Sequence, residues 1–268
     1  MIDLKYICIE IEKAAHEAGE FIRKESERFD ISMTETKGLN NFVSYVDKGS
    51  EKMLVEKLGR LIPEAGFLTE EGTIEKTGIK YCWVIDPLDG TTNFLHGLPP
   101  YAISIGLMEY DEVIAGVVYD VRGNETFTAW KGGGAWLNNN PIQVSKAPLV
   151  SDSLIATGFP YTDFERVEKF MGTLTYFCKH SHGIRRFGSA AIDLAYVACG
   201  RVEVFYEYGL HPWDIAAGVI LVREAGGRFS DFSGNEKNLT GDDVIASNSL
   251  IYNEFLEVII NQMDIKKS

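Results

Sequence analysis

A chain of 268 residues holds one large domain or two intimate ones. With 45% hydrophobic residues and 12% aromatics it can bury a real core, which excludes compositional disorder. A net charge of −13, from 26 Lys and Arg against 39 Asp and Glu, argues against broad binding to nucleic acid or to an anionic membrane.

The first predicted element is a helix. Leu4, Ile7, Ile11, Ala14, Ala18 and Phe21 recur at helical spacing with charge between them. No basic head with an apolar run precedes it, and no stretch approaches about 18 consecutive apolar residues, so neither a signal peptide nor a membrane helix is expected. The polar run from Thr36 to Asn41 breaks the pattern and leaves a loop over 34–46. A second helix is predicted over 48–61, with Met53, Leu54 and Leu58 inward and Pro63 near its end. Asp47 then reads as its N-cap.

Strands follow at 81–85, 101–108 and 113–120, with the turn between the last two at Glu109–Glu112. A hairpin joins 125–130 to 134–137, and 138–141 reads as a turn. After about residue 150 the pattern becomes alternation. Strand 153–157 precedes helix 163–179, strand 184–187, helix 189–199, strand 202–206 and helix 213–225. Strands 227–230 and 243–247 and helix 250–263 complete it. Residues 1–150 thus read as an α+β half with a largely antiparallel sheet, and 151–268 as an α/β half. The two are expected to form one compact globule with a site between them. Cys8, Cys82, Cys178 and Cys199 are scattered in apolar contexts and read as small buried hydrophobes in a reducing cytoplasm. His180 and His182 have no Cys nearby, so zinc is not expected.

The chemistry concentrates after strand 81–85. Asp86 and Asp89 leave its end and are followed at once by Gly90 and Thr91. Carboxylate oxygens suit hard cations. Pro87 stiffens the turn, and Gly90 permits an unusual backbone and close approach by a ligand. A short helix starting at Gly90 or Thr91 would turn free N–H groups towards a phosphate. The competing reading is an ordinary Pro-containing turn, since Asp-Pro and Asp-Gly are common turn dipeptides.

Trp83-Val84-Ile85-Asp86-Pro87-Leu88-Asp89-Gly90-Thr91-Thr92-Asn93-Phe94 resembles the first signature of the inositol monophosphatase family. Pro212-Trp213-Asp214-Ile215-Ala216-Ala217-Gly218, with Glu224-Ala225-Gly226-Gly227, resembles its second signature, roughly 125 residues on and in the family's order. The similarity runs from the first helix to about residue 250. It implies a layered αβαβα sandwich of the sugar-phosphatase type. It also implies Mg²⁺-dependent hydrolysis of myo-inositol 1-phosphate, or of a related polyol or sugar monophosphate, by direct attack of metal-activated water.

The resemblance places two or three Mg²⁺ ions on Glu70, Asp86, the carbonyl of Leu88, Asp89 and Asp214. Taken singly, Glu70 reads as a solvated loop charge and Asp214 as a favourable carboxylate in a helix's first turn. The resemblance makes Asp47 and Thr91 the pair that activates the nucleophile, with Glu70 beside them, and puts phosphate at Gly90 and Thr91. It places the alcohol against Glu207 and the backbone of Gly188, Ser189 and Ala190. Asp193 is either a polar position in a helix or part of the same pocket. Lys37 is either a family lysine or a solvated loop charge. Arg185-Arg186 either favours a second phosphate or is an exposed basic pair.

Thr92-Asn93-Phe94 is the inositol-phosphatase form. Relatives that cleave 3′-phosphoadenosine 5′-phosphate carry Lys-Glu-Phe there, and the histidinol-phosphate type carries Lys-Ser-Phe. The stretch Phe187–Tyr196 looks like bacterial members. The resemblance further implies inhibition by Li⁺, a homodimer and a small phosphorylated polyol as partner, while the cysteines point to a cytoplasmic location and the charge and the lack of a long apolar run to no nucleic acid and no membrane. Its rivals are a fructose-1,6-bisphosphatase or nucleotide-phosphatase activity on the same scaffold, or a regulatory binding role, since some bacterial relatives engage the transcription machinery.

Overall fold

The computed structural model describes residues 2–30, 34–38, 41–74, 76–160, 163–237, 239 and 241–265. Helix α1 (Leu4–Ser26) is followed by the short antiparallel hairpin β1 (Glu35–Gly38) and β2 (Asn41–Val43), then by helix α2 (Tyr45–Leu61). A seven-stranded sheet comes next: β3 (Gly66–Thr69), β4 (Tyr81–Asp89), β5 (Ala102–Glu109), β6 (Glu112–Asp120), β7 (Glu125–Trp130), β8 (Gly134–Leu137) and β9 (Asn140–Ile142). Its spatial order equals its chain order, and only β3–β4 is parallel. The five-residue helix α3 (Thr91–Leu95) interrupts the path from β4 to β5.

The rest of the chain forms β10 (Leu154–Thr157), α4 (Val167–His180), β11 (Gly183–Arg185), α5 (Ala190–Ala198), β12 (Val204–Tyr208), α6 (Pro212–Glu224), β13 (Gly227–Ser230), β14 (Asp243–Asn248) and α7 (Tyr252–Met263). Its five strands lie in the order β11-β10-β12-β14-β13. The two pairs around β10 are parallel and the other two antiparallel.

Three apolar cores stack these elements into five layers, the expected αβαβα sandwich. Ile11, Ile22, Leu54 and Leu58 of α1 and α2 pack on Trp83, Ile103 and Val117 of the larger sheet. Leu194, Val197, Ile215 and Val219 of α5 and α6 fill the space between the two sheets. Phe170, Phe177, Phe255 and Ile259 of α4 and α7 cover the smaller sheet. Covered on both faces, the centre of β4 is a continuous apolar run rather than an alternating one. Helix α6 is likewise buried on almost every side. It lies close to the larger sheet because two strand positions opposite it are glycines. A Cβ on Gly106 would stand 2.8 Å from the Ala216 Cβ, and one on Gly116 only 2.9 Å from the Ala217 Cα.

Some expectations need correction. Helix α2 starts at Tyr45, not Lys48, because Ser44 is the N-cap and Asp47 is the third residue of the helix, closing a capping box. The predicted loop over 34–46 contains the β1–β2 hairpin, and its residues Leu39 and Asn40 lie outside the described residues. Strand β3 was not expected. The turn at 138–141 is confined to Asn138 and Asn139, which carry the positive φ, and Asn140 opens β9. Cys178 is exposed, Cys8 is buried, and Cys82 and Cys199 are half-buried; all four are free. Among the described residues no helix is long and apolar enough to cross a membrane.

Candidate active site

The end of β4 carries the first acids. Asp86 pairs across to Ser104 of β5, and the register then slips before Asp89 pairs with Ala102. Pro87 and Leu88 form the bulge between them. A bulge allows two carboxylates of odd spacing to face one side of a sheet edge. The Leu88 amide donates to Asp86 Oδ1 at 2.9 Å within the turn, and the Ser50 hydroxyl donates to the Pro87 carbonyl at 3.0 Å, which ties the turn to α2. Gly90 caps α3 with φ 91°, and a Cβ there would sit 3.1 Å from the Gly188 carbonyl. The positive φ favours glycine, and the close carbonyl adds to the cost of any side chain.

The third acid arrives from the middle layer. Asp214 lies in the first turn of α6, and its Oδ2 accepts the His211 amide at 2.7 Å. Ligand atoms of Asp86, Asp89 and Asp214 all fall within 4.8 Å of one another. Glu70 lines the same cleft, outside that tight group. Parallel pairing of Thr69 with Ile85 brings Glu70 alongside Asp86, and the Glu70 amide donates to the Ile85 carbonyl at 3.2 Å. All the donors are oxygens, the set that suits Mg²⁺.

Burial raises the pKa of all three acids, and repulsion from neighbouring carboxylates adds to the rise at Asp86 and Asp214. Burial, then the charges of Glu70, Asp89 and Asp214, push the Asp86 carboxyl well above the usual carboxylate range. Burial pushes Asp89 up to about 6, against the Ser189 hydroxyl and Ala191 amide, which donate to its Oδ2 at 2.6 and 2.7 Å. Burial and the Asp89 charge push Asp214 up to about 7. Acids held this way accept a divalent cation readily, because the ion supplies the charge that would otherwise come from protons. The residues present therefore fit the metal.

Asp47 and Thr91 meet beside the cluster. The Thr91 hydroxyl is 3.0 Å from Asp47 Oδ1 and 2.9 Å from the Leu88 carbonyl. Its single proton serves one acceptor at a time, and an oxygen lone pair remains. Asp47 Oδ2 takes the amide and hydroxyl of Ser44 at 2.8 and 2.6 Å. Burial raises the Asp47 carboxyl above its ordinary value, opposed by these hydrogen bonds.

The far wall of the cleft is formed by Gly158, Arg186, Gly188, Ser189, Ala190 and Glu207. Glu207 is pushed well up by burial and then by the Asp214 charge, with Arg186 opposing. Gly158 leaves room for its carboxylate, since a Cβ there would fall 2.0 Å from Oε1. Asp193 is buried behind this wall on α5, and its Oδ1 has no hydrogen-bond partner among the described residues. Burial, and then Glu207, push it well up as well. Both arginines are exposed, and of the two Arg186 lines the cleft. Lys37 lies in β1.

Residue-by-residue reading missed Ser50, Glu51 and Gly158. It also missed the job of Asn93, whose Nδ2 donates to the carbonyls of Pro100 and Phe187, each at 2.8 Å, tying the first wall to the second. The signal for α2 was present. Asp47, Ser50, Glu51, Leu54 and Leu58 share one helical face, so polar residues stand where the pattern demands core.

The model of the inositol monophosphatase family matches residues 3–266. The chain is 41% identical over 245 residues to the Nus factor SuhB of Escherichia coli strain K12, covering 91% of this chain and 92% of that one. It is 38% identical over 248 residues to the inositol-1-monophosphatase of Mesorhizobium japonicum, covering 92% and 93%. The crystal structure of the extragenic suppressor protein suhB of Bartonella henselae superimposes with a TM-score of 0.90 at 36% identity, covering 95% of this chain and 98% of that one.

Proposed function

This chain belongs to the inositol monophosphatase family, and from that premise we propose that it is a Mg²⁺-dependent phosphomonoesterase acting on myo-inositol 1-phosphate or a related polyol or sugar monophosphate. The observation that carries the reading is the trio Asp86, Asp89 and Asp214, with ligand atoms within 4.8 Å, beside the Thr91–Asp47 pair.

Glu70, Asp86, Asp89, Asp214 and the Leu88 carbonyl would hold two or three Mg²⁺. Bound there, Mg²⁺ supplies positive charge for the phosphoryl oxygens and lowers the pKa of water. The protein's own groups do the rest. Thr91 accepts a proton from the attacking water and passes its own to Asp47, whose raised pKa makes it a better base than an ordinary carboxylate. Amides of Gly90 and Thr91 orient the phosphate. Glu207 and the backbone at 188–190 take the hydroxyls of the alcohol, with Asp193 behind them. Inhibition by Li⁺, a homodimer and a cytoplasmic location belong to the same reading. The four free cysteines suit a reducing compartment.

Phosphate release from myo-inositol 1-phosphate, fructose 1,6-bisphosphate and 3′-phosphoadenosine 5′-phosphate under equal Mg²⁺ tests the substrate. A preference of about ten-fold for either bisphosphate would replace the inositol reading. Asp89→Asn and Asp214→Asn should each lower kcat at least ~100-fold. Hydrolysis that survives both changes would end the assignment.

A second reading has one specific observation behind it. Relatives at about 40% identity carry the name Nus factor SuhB, which is not that of a phosphatase. With a net charge of −13, a partner bound in such a role would be a basic protein surface. A pull-down with the intact chain tests this, and Asp89→Asn separates the roles, since a binding role would survive it.

A further inference from the structure

Glu51 does not line the cleft. It is fully buried on the inner face of α2, where a carboxylate is costly unless hydrogen bonds satisfy it. Its Oε1 accepts the Thr69 hydroxyl at 3.0 Å and the Thr73 amide at 2.7 Å, and its Oε2 accepts the Glu71 amide at 2.8 Å. The three donors bracket Glu70 in sequence. The backbone from Glu70 to Ile74 belongs to no helix or strand, and the Glu70 amide's bond to the Ile85 carbonyl ties only its first residue to the sheet. We propose that Glu51 is a positioning residue that clamps the 69–73 turn and so presents the Glu70 carboxylate to the cleft beside Asp86.

The rest of α2 fits this. Asp47, one turn earlier, holds Thr91, and Ser50 holds the Asp86–Asp89 turn through the Pro87 carbonyl. One helix thus braces three separate pieces of the site. Charge-assisted bonds to backbone amides are among the stronger ones available for this. The inference rests on the metal reading of the cleft, and the test separates the two.

The experiment is Mn²⁺ titration of the intact protein, followed by the EPR signal of free Mn²⁺, with phosphate release measured against Mg²⁺ in parallel. Glu51→Gln keeps the shape but, in either orientation of its amide, sets the N–H₂ against a backbone N–H, of Glu71 or of Thr73, that can only donate. Its Mn²⁺ affinity should fall about ten-fold and its half-saturating Mg²⁺ rise about as much, while KM for the ester at saturating Mg²⁺ stays within about two-fold. Thr69→Val removes one donor and leaves the carboxylate, so it should weaken Mn²⁺ by only about two- to three-fold. A purely structural role for Glu51 would lower Tm and leave the metal titration unmoved. Wild-type affinity for Mn²⁺ in Glu51→Gln overturns the inference. If that variant does not fold, unchanged affinity in Thr69→Val overturns it instead. Absence of Mn²⁺ binding by the wild type is a different result, and removes the metal reading itself.

Discussion

The two oxygens of Asp47 have different partners. Oδ2 completes the helix cap at Ser44, and Oδ1 remains for Thr91. A capping role and the proposed catalytic role would compete for one carboxylate, and its two oxygens leave room for both. Asp193 is the opposite case, a buried acid with one oxygen unmatched among the described residues. Burial raises its pKa, Glu207 and Asp89 add to the rise, and Arg186 opposes it. The folded chain therefore keeps a proton that the unfolded chain releases near 3.8. Stability from this group is complete below that value and is lost as pH rises towards the folded pKa. Asp193→Asn cannot titrate. In EDTA, between about pH 5 and pH 8, the variant should lose less Tm than the wild type. Parallel melting curves would mean that Asp193 is ionised in the fold.

At the scale of elements, α6 shows how packing sets chemistry. It carries Asp214 and lies against Gly106 and Gly116 of the sheet that carries Asp86 and Asp89. Gly116→Ala would put a methyl 2.6 Å from the Ile220 Cγ2 and 2.9 Å from the Ala217 Cα. Overpacking of this kind costs about 1–3 kcal/mol. The entropy gained by replacing a strand glycine, about 0.5–1 kcal/mol, does not offset it. The variant should melt lower and need more Mg²⁺ for half-maximal activity, because α6 must shift and take Asp214 with it. An unchanged Mg²⁺ requirement would disconnect helix placement from the metal site. Elements with strong periodicity or apolar runs were legible in the sequence, among them α1, β4 and most of the alternating second half. Strand β3 was not, because Gly66–Thr69 is four residues long and takes its identity from parallel pairing with β4. The start of α2 was misplaced because Ser44 and Asp47 are both good capping residues, and only the structure shows which one caps. The local acids of the Asp86–Asp89 turn were readable as a motif. Glu51 was readable only from its place on the helical face of Leu54 and Leu58, since beside Lys52, Glu56 and Lys57 it looks like one more solvated charge.

At the scale of the whole molecule, the cleft joins parts that are distant in the chain. Asp86 and Asp89 come from the seven-stranded sheet, Glu207 from the five-stranded one, and Asp214 from the layer between. An ion held there binds the folded chain and not the unfolded one. At about 100 times its dissociation constant, Mg²⁺ should stabilise the fold by about 2.7 kcal/mol. For a chain of this size that raises Tm by about 5–10 °C, reversed by EDTA. A melting temperature indifferent to Mg²⁺ would argue against the site.

The same trio has a consequence for folding. Without a cation, the chain must bring three like-charged groups together at the cleft. Burial raises the pKa of each, and repulsion adds to the rise at Asp86 and Asp214, so folding works against their ionisation as pH rises. Asp86→Asn removes that burden and should melt above the wild type in EDTA at about pH 8. In saturating Mg²⁺ the order should reverse, and if the two rankings never cross, the acids impose no such cost. On this view the empty cleft costs the chain some stability that a bound ion would restore.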